Sequence, residues 1–261
     1  MKAVIIGAGN VGTHLAIALK NEGVQIVQVV SRTMKSAVEL ASRMECAFTT
    51  DIETINTTAD IYIISVSDRA IQQVIRQVSP RIGNKFVVHT SGSVGIDVFY
   101  DFAINYGVVY PLQTFSKFKE INYSEIPIFV ESNSDENLAT LYEFCKKITP
   151  HVQTASSEQR AYLHLCAVIA CNFTNHLCTI AEMLLQNRQL KFEAYRPMLR
   201  ETFEKLSKYS PKISQTGPAV RNDVFIVEKH VELLKDYPEI QQIYSDMSQS
   251  IIQFHVKDEQ Q

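Results

Sequence analysis

The chain has 261 residues, 46% of them hydrophobic, enough to fill the core of one large domain or two ordinary ones. A net charge of -3 and a pI near 6.2 leave no global basic field, which argues against nucleic acid or an anionic membrane as main partner and favours a small molecule. The five cysteines (Cys46, Cys145, Cys166, Cys171, Cys178) form no C-x-x-C pair and are odd in number, against both a disulfide framework and zinc, so a reducing compartment and no metal are expected.

Residues 2–6 (KAVII) form a strand-like run at the very start, leaving no room for a signal peptide, and no apolar stretch approaches the ~18 residues of a membrane span; a cytoplasmic protein is expected. Residues 10–20 repeat apolar positions at helical period, 25–30 (QIVQVV) are β-branched, and 35–43 are helical again, which completes one βαβ unit. The alternation continues with strands at 60–65, 85–89, 107–110 and 126–131 and a helix near 69–77. Such alternation predicts an α/β fold: a doubly wound, mostly parallel sheet covered on both faces, through residue 153. From 157 the texture changes. Residues 158–190 lack Gly and Pro and carry a sustained apolar stripe, predicting one long helix; 192–208, 223–235 and 238–255 read as three more, before a polar tail at 257–261. The second domain, 154–261, should be all-helical.

Gly7-Ala8-Gly9-Asn10-Val11-Gly12 matches G-x-G-x-x-G after a strand and at a helix start, the context that gives the motif its meaning. Gly7 permits the tight turn, Gly9 the close approach of a pyrophosphate, and Gly12 the packing of helix on strand, while amides of the helix start at Asn10 and Val11 face the phosphates. The bland alternative is a glycine turn that binds nothing. At the end of the second strand, where an NAD enzyme usually presents Asp or Glu, stands Ser31-Arg32-Thr33, with no acid between Gly23 and Val38. Arg32 suits a 2′-phosphate that the Ser31 and Thr33 hydroxyls also reach, so NADP is expected as cofactor rather than NAD; a solvated arginine is the alternative.

Ligands of open α/β sheets sit beyond the carboxyl ends of the strands, and those ends are polar here: Ser65-Val66-Ser67-Asp68, His89-Thr90-Ser91-Gly92-Ser93 and Tyr110-Pro111-Leu112-Gln113-Thr114. Val66 and Ser67 are assigned to the cofactor and Ser91 to the chemistry, although Ser67 or Asp68 also makes a good helix cap and Ser91-Gly92 a good turn. On the long helix His164, Val168, Asn172 and His176 recur every four residues, and His164 and Asn172 are candidates to protonate or stabilise the anion that develops as hydride reaches a C=O or C=N bond. The alternative is a solvated or internally satisfied polar face. The linker 216–223 sets Arg221 beside Asn222 and Asp223, either to clamp a carboxylate or to let Asp223 cap the next helix. Tyr142 and Lys146 mimic the Y-x-x-x-K of short-chain dehydrogenases but fall on a peripheral helix.

With the glycine motif, Ser31-Arg32-Thr33, His89-Thr90-Ser91-Gly92, Pro111-Leu112-Gln113-Thr114-Phe115 and Thr216-Gly217-Pro218 through Asp223, nearly the whole chain resembles the Rossmann-like NADP oxidoreductases with an uncharacterised helical C-terminal domain. More distantly it is similar to pyrroline-5-carboxylate reductase, ketopantoate reductase and 6-phosphogluconate dehydrogenase. The resemblance implies two lobes with substrate between them, a C-terminal domain like that of 6-phosphogluconate dehydrogenase, and a homodimer formed through the helical lobe. Three positions depart from it: Val168 stands where hydroxyacid relatives carry a lysine four before the asparagine, Tyr110 where closer members often show His, and Asn222 where Gly is expected. Two functions follow as expectations: an NADP-dependent reductase of a small carbonyl or imine, or a non-catalytic NADP(H)-binding sensor or scaffold.

Overall fold

The computed structural model describes residues 1–116 and 119–256; the expected polar tail at 257–261 lies outside the described residues. Contacts divide the chain into two compact units, Met1–Phe173 and Thr174–Gln261.

The first unit is built on eight strands: β1 (Lys2–Ile6), β2 (Gln25–Val30), β3 (Ala47–Thr49), β4 (Ile61–Ile64), β5 (Phe86–His89), β6 (Asn105–Pro111), β7 (Ile128–Ser132) and β8 (Val152–Thr154). Their spatial order is β3-β2-β1-β4-β5-β6-β7-β8. All neighbours are parallel except β6 and β7. The expected doubly wound, mostly parallel sheet is therefore present, extended by the short strands β3 and β8 at its two edges.

Side chains alternate between the sheet's faces with the period of two that a strand imposes. Ala3, Ile5, Ile61, Ile63 and Val88 meet Leu15 and Leu19 of α1 (Asn10–Asn21), Leu40 and Met44 of α2 (Met34–Met44), and Leu141 and Phe144 of α4 (Asp135–Lys146). Val4, Ile6, Tyr62, Ile64 and Val87 turn the other way, onto Ile71, Ile75 and Val78 of α3 (Asp68–Ile82) and onto Phe99. Each fully buried Leu or Ile contributes about 1.5–3 kcal/mol, so the two layers rather than any single bond hold this unit. Because the parallel strands end in register, Val30, Ile6, Ile64 and His89 lie in one row. The reversed strand β7 adds Glu131 to that row, opposite Val108 of β6.

After β8 the chain enters α5 (Ser157–Ala167) through a full capping box between Ser156 and Gln159. The expected single α-helix over 158–190 is interrupted: Val168–Phe173 is π-helical, and α6 (Thr174–Gln186) follows. The run Ser157–Gln186 is also long and apolar enough to cross a membrane by length and composition, which corrects the expectation that no stretch approaches a span. It carries Arg160, a charge that a bilayer core penalises.

The second unit consists of α6, α7 (Arg196–Lys208), the short α8 (Pro211–Ser214), α9 (Val224–Leu233) and α10 (Pro238–Val256). Asp223 caps α9 through Ile226 N–H at 3.3 Å, the structural role considered for it, and Arg221 is exposed. Asn222 has φ 49°, the left-handed conformation that glycine adopts freely and asparagine tolerates best. This accounts for Asn where the resemblance suggests Gly. His230 of α9 meets Tyr244 Oη of α10 at 2.8 Å, tying those two helices.

Candidate functional site

The first βα turn has the geometry its glycines suggest. Gly7 has φ 107°, and a Cβ built on it would lie 2.1 Å from Ser65 O. A Cβ on Gly12 would lie 2.1 Å from Gly7 O, so α1 leaves the turn at a distance only glycine allows. Gly9 is different: the nearest atom to its virtual Cβ is 4.0 Å away, and the space beside it is open. It is the extended N-cap of α1, with no side-chain cap and no acidic residue in the first turn, so the helix start keeps free amides and an uncancelled positive dipole end for an anion.

A cavity of about 770 Å³ opens on this turn. Gly7 and Gly9 line it together with Ser31, Arg32 and Thr33 after β2 and with Val66 and Ser67 after β4. Asn10, Val11 and Gly12 do not: Asn10 Nδ2 donates to Phe115 O at 3.0 Å, Val11 is half-buried on α1, and Gly12 is spent on packing. Ser67 is the N-cap of α3 yet makes no side-chain cap bond, leaving its hydroxyl to the cavity. Thr33 does cap: its Oγ1 accepts from Ser36 N–H at 3.4 Å and starts α2. The elements thus offer a dinucleotide a glycine turn, a helix start and a cation in one cleft. Asp51 and Glu53, which sequence reasoning passed over, line the same cavity. Asp51 caps the turn after β3, accepting Glu53 N–H at 2.9 Å, and Glu53 is paired with Arg81. An Asp directly after the strand-favouring run Phe48-Thr49-Thr50 was the available signal for that cap.

The next strand ends carry the remaining polar groups. Thr90 Oγ1 donates to Ser65 Oγ at 3.2 Å, joining the loops after β4 and β5. Ser91 Oγ accepts the N–H groups of Ser93 and Val94, both at 3.1 Å, so this hydroxyl holds the turn. His89 is fully buried and stacks on Phe99. It accepts Ser91 N–H at Nδ1 (3.2 Å) and faces Gly95 O with Nε2 (3.4 Å), which makes it a neutral ring protonated at Nε2. Burial, helped by the positive charge of Arg160, pushes its pKa down to about 3. Between pH 3 and the ordinary value near 6.5 the unfolded chain therefore binds a proton that the folded one refuses, so stability falls as pH drops through that window, by at most about 1.4 kcal/mol per pH unit. Urea unfolding of wild type and His89→Gln between pH 4 and 7 should show a shallower acid limb in the variant.

Arg160 of α5 is the largest fully buried side chain. It pairs with Glu131 and donates from Nε to Ser91 O at 3.1 Å and from Nη2 to Val94 O at 2.6 Å. Glu131 in turn accepts Ser157 N–H (2.9 Å) and Ser157 Oγ–H (2.8 Å), so the start of α5, the row end of β7 and the loop after β5 are one hydrogen-bonded block. Sequence reading missed this pair because its partners lie 29 residues apart and neither sits in a motif.

One turn beyond Arg160, His164 faces the same block, its Nδ1 3.2 Å from Tyr110 Oη. Gly92 makes room for both, since a Cβ there would stand 2.8 Å from His164 Cβ and from Tyr110 Cζ. Ser91 and His164 are thus brought together at the carboxyl ends of β5 and β6. Asn172 lies in the π stretch and is exposed. A π turn takes more residues per revolution than the 3.6 of an α-helix, so it turns the stripe back and keeps Asn172 closer to the face of His164 than an unbroken α-helix would. Tyr142 and Lys146 lie on α4, away from the cavity lining.

Residues 2–92 match the family model "NADP oxidoreductase coenzyme F420-dependent", and residues 126–251 match a domain of unknown function, DUF2520. A "putative NADP oxidoreductase" from Bacteroides fragilis is 42% identical, with a TM-score of 0.92 over 97% of this chain and 98% of that one. An imine reductase from Streptomyces aurantiacus (14% identity, TM-score 0.68, 97% and 96% covered) and a pyrroline-5-carboxylate reductase from Coxiella burnetii (13%, 0.57, 98% and 97%) share the fold. Among curated proteins, 43 residues are 46% identical to a glutamyl-tRNA reductase of Sulfurisphaera tokodaii, a match that spans 16% of this chain and a tenth of that protein. With near-complete coverage at 42% identity and a dinucleotide turn of the required geometry, the chain belongs to the NADP oxidoreductase family of the Bacteroides fragilis protein.

Proposed function

We propose that the protein is an NADPH-dependent reductase that passes hydride to a small carbonyl or imine substrate. The observation that carries this reading is the placement of the polar groups: the glycine cavity reaches Ser65, Ser65 is bonded to Thr90, and Gly92, Tyr110 and His164 meet beyond the neighbouring strands β5 and β6. When bound, the dinucleotide supplies the hydride. Arg32, Ser31 and Ser67 hold its phosphates and ribose, Gly9 admits the pyrophosphate, and His164 and Asn172 serve the substrate end, with Ser91 holding the turn beside them. Arg32 favours NADP over NAD, because Asp51 and Glu53 at the same cavity are already engaged, in a cap and in an ion pair.

Titration with NADPH and NADH followed by calorimetry tests the assignment. NADPH should bind more tightly, and Arg32→Ala should weaken NADPH about 10- to 100-fold, the ~1.5–3 kcal/mol of a charge-assisted hydrogen bond, with little change for NADH. Equal loss for both nucleotides would remove the 2′-phosphate role. Val168 in place of a helix lysine favours a second reading, a binding-only sensor; NADPH consumption with cyclic imines or keto acids separates the two.

We also propose a cytoplasmic homodimer formed through the helical second unit. What supports this reading is the set of large apolar side chains exposed on that unit in the single chain, among them Ile213, Phe225 and Phe254 at 79%, 73% and 72%. Sedimentation equilibrium should give twice the chain mass, and a monomer at micromolar concentration would sink the proposal.

A further inference from the structure

We propose that Tyr110 fixes His164 in the tautomer that carries its proton on Nε2, and that this tyrosine–histidine relay replaces the missing helix lysine as the source of the proton for the reduced substrate. The catalytic half of this inference rests on the reductase reading; the tautomer half does not.

The geometry is specific. Tyr110 stands on β6 with its ring 7% exposed, held by Val108, Phe129 and Ala155. Its hydroxyl lies 3.2 Å from His164 Nδ1, with the two rings edge to face at 74°. Burial raises the phenol above its ordinary value, so it keeps a hydrogen to donate. With Tyr110 as donor, Nδ1 is the acceptor, and neutral imidazole has its hydrogen on Nε2. The register of α5 is not free to change this. Arg160, four residues earlier on the same helical face, is bonded to Ser91 O and Val94 O, and Gly92 is the residue against which both rings rest.

The chemistry balances. As the substrate's carbonyl or imine carbon accepts hydride from the reduced nicotinamide, the C=O or C=N π pair moves to oxygen or nitrogen, which takes the proton of His164 Nε2. His164 Nδ1 takes the phenolic proton of Tyr110, so the imidazole stays neutral throughout. The cycle closes when Nδ1 returns that proton to the phenolate, which the positive charge of Arg160 makes less costly, and Nε2 takes a fresh proton from water. His164 is then the catalytic residue and Tyr110 the positioning residue behind it. Val168 does not weaken such a site, because no helix ammonium is required.

The test is the nitrogen spectrum of the ¹⁵N-histidine-labelled protein without cofactor, the His164 signals being those lost in His164→Gln. Wild type should show protonated Nε2 and unprotonated Nδ1, and Tyr110→Phe, with unchanged circular dichroism, should move these signals toward the average of two exchanging tautomers. A wild-type signal from protonated Nδ1, or signals unmoved by Tyr110→Phe, would overturn the inference. NADPH consumption with 2-methyl-1-pyrroline and with pyruvate provides the kinetic arm: Tyr110→Phe should lower kcat about 10- to 100-fold, toward the low end of general-acid effects, with KM within about twofold. Equal kcat in the two proteins would overturn the relay. Turnover of neither probe by wild type counts against the reductase reading, while the nitrogen spectrum still decides the tautomer.

Discussion

Gly9→Val is expected to weaken dinucleotide binding at least about 100-fold, roughly 3 kcal/mol, while leaving the fold and its melting temperature nearly unchanged. The three motif glycines differ in what a side chain would strike. At Gly7 and Gly12 a Cβ would sit 2.1 Å from a backbone oxygen, so substitution there disrupts the turn itself and confounds binding with folding. At Gly9 the nearest atom is 4.0 Å away and φ is an ordinary -78°, so a branched side chain is accommodated by the chain and projects into the space where a pyrophosphate must lie. Calorimetric titration with NADPH and a thermal melt on the same sample check both halves. Retained affinity in a folded Gly9→Val protein would mean that this turn does not carry the phosphates.

Arg160→Leu is expected to cost about 3–5 kcal/mol of unfolding free energy, the largest single effect in the first unit. Removal of the guanidinium strands the Glu131 carboxylate at a mostly buried site and leaves Ser91 O and Val94 O without their donors. Both consequences belong to the short list of changes that destabilise severely. The double variant Arg160→Leu/Glu131→Gln should lose less than Arg160→Leu alone, because a neutral amide oxygen still accepts from Ser157 and no unpaired charge remains. Urea unfolding of the wild type, Arg160→Leu, Glu131→Gln and the double variant measures the cycle. Equal losses in Arg160→Leu and the double variant would mean that solvent already screens the charge of Glu131.

Much of this was legible in the sequence, for identifiable reasons. The strand, turn and helix from Lys2 to Asn21 were readable because a period-two run, three glycines and a period of 3.6 follow one another without overlap. Seven of the ten residues assigned to the cofactor line one cavity, because each stands directly after a strand whose end the alternation had located. What escaped depends on partners remote in sequence. Tyr110 was read as a departure from a family pattern, and only folding shows that the residue opposite it is His164. Arg160 stands in no motif and drew no reading, and its burial follows from Glu131 on a reversed strand. Ser91, assigned to chemistry, spends its hydroxyl on two backbone amides, the turn role weighed beside it. The π stretch at Val168–Phe173 is invisible to a periodicity count, because one wider turn within thirty residues barely changes the mean spacing.

The strands β3 and β8 were missed because each has only three residues, and those two strands are the edges of the sheet. An edge offers unpaired amides and carbonyls to any passing extended chain, and its danger grows with its length. Two three-residue margins leave too short a template for strand-by-strand growth, so the eight-stranded sheet should resist seeding into fibrils even at the high concentrations of an overexpressing cell.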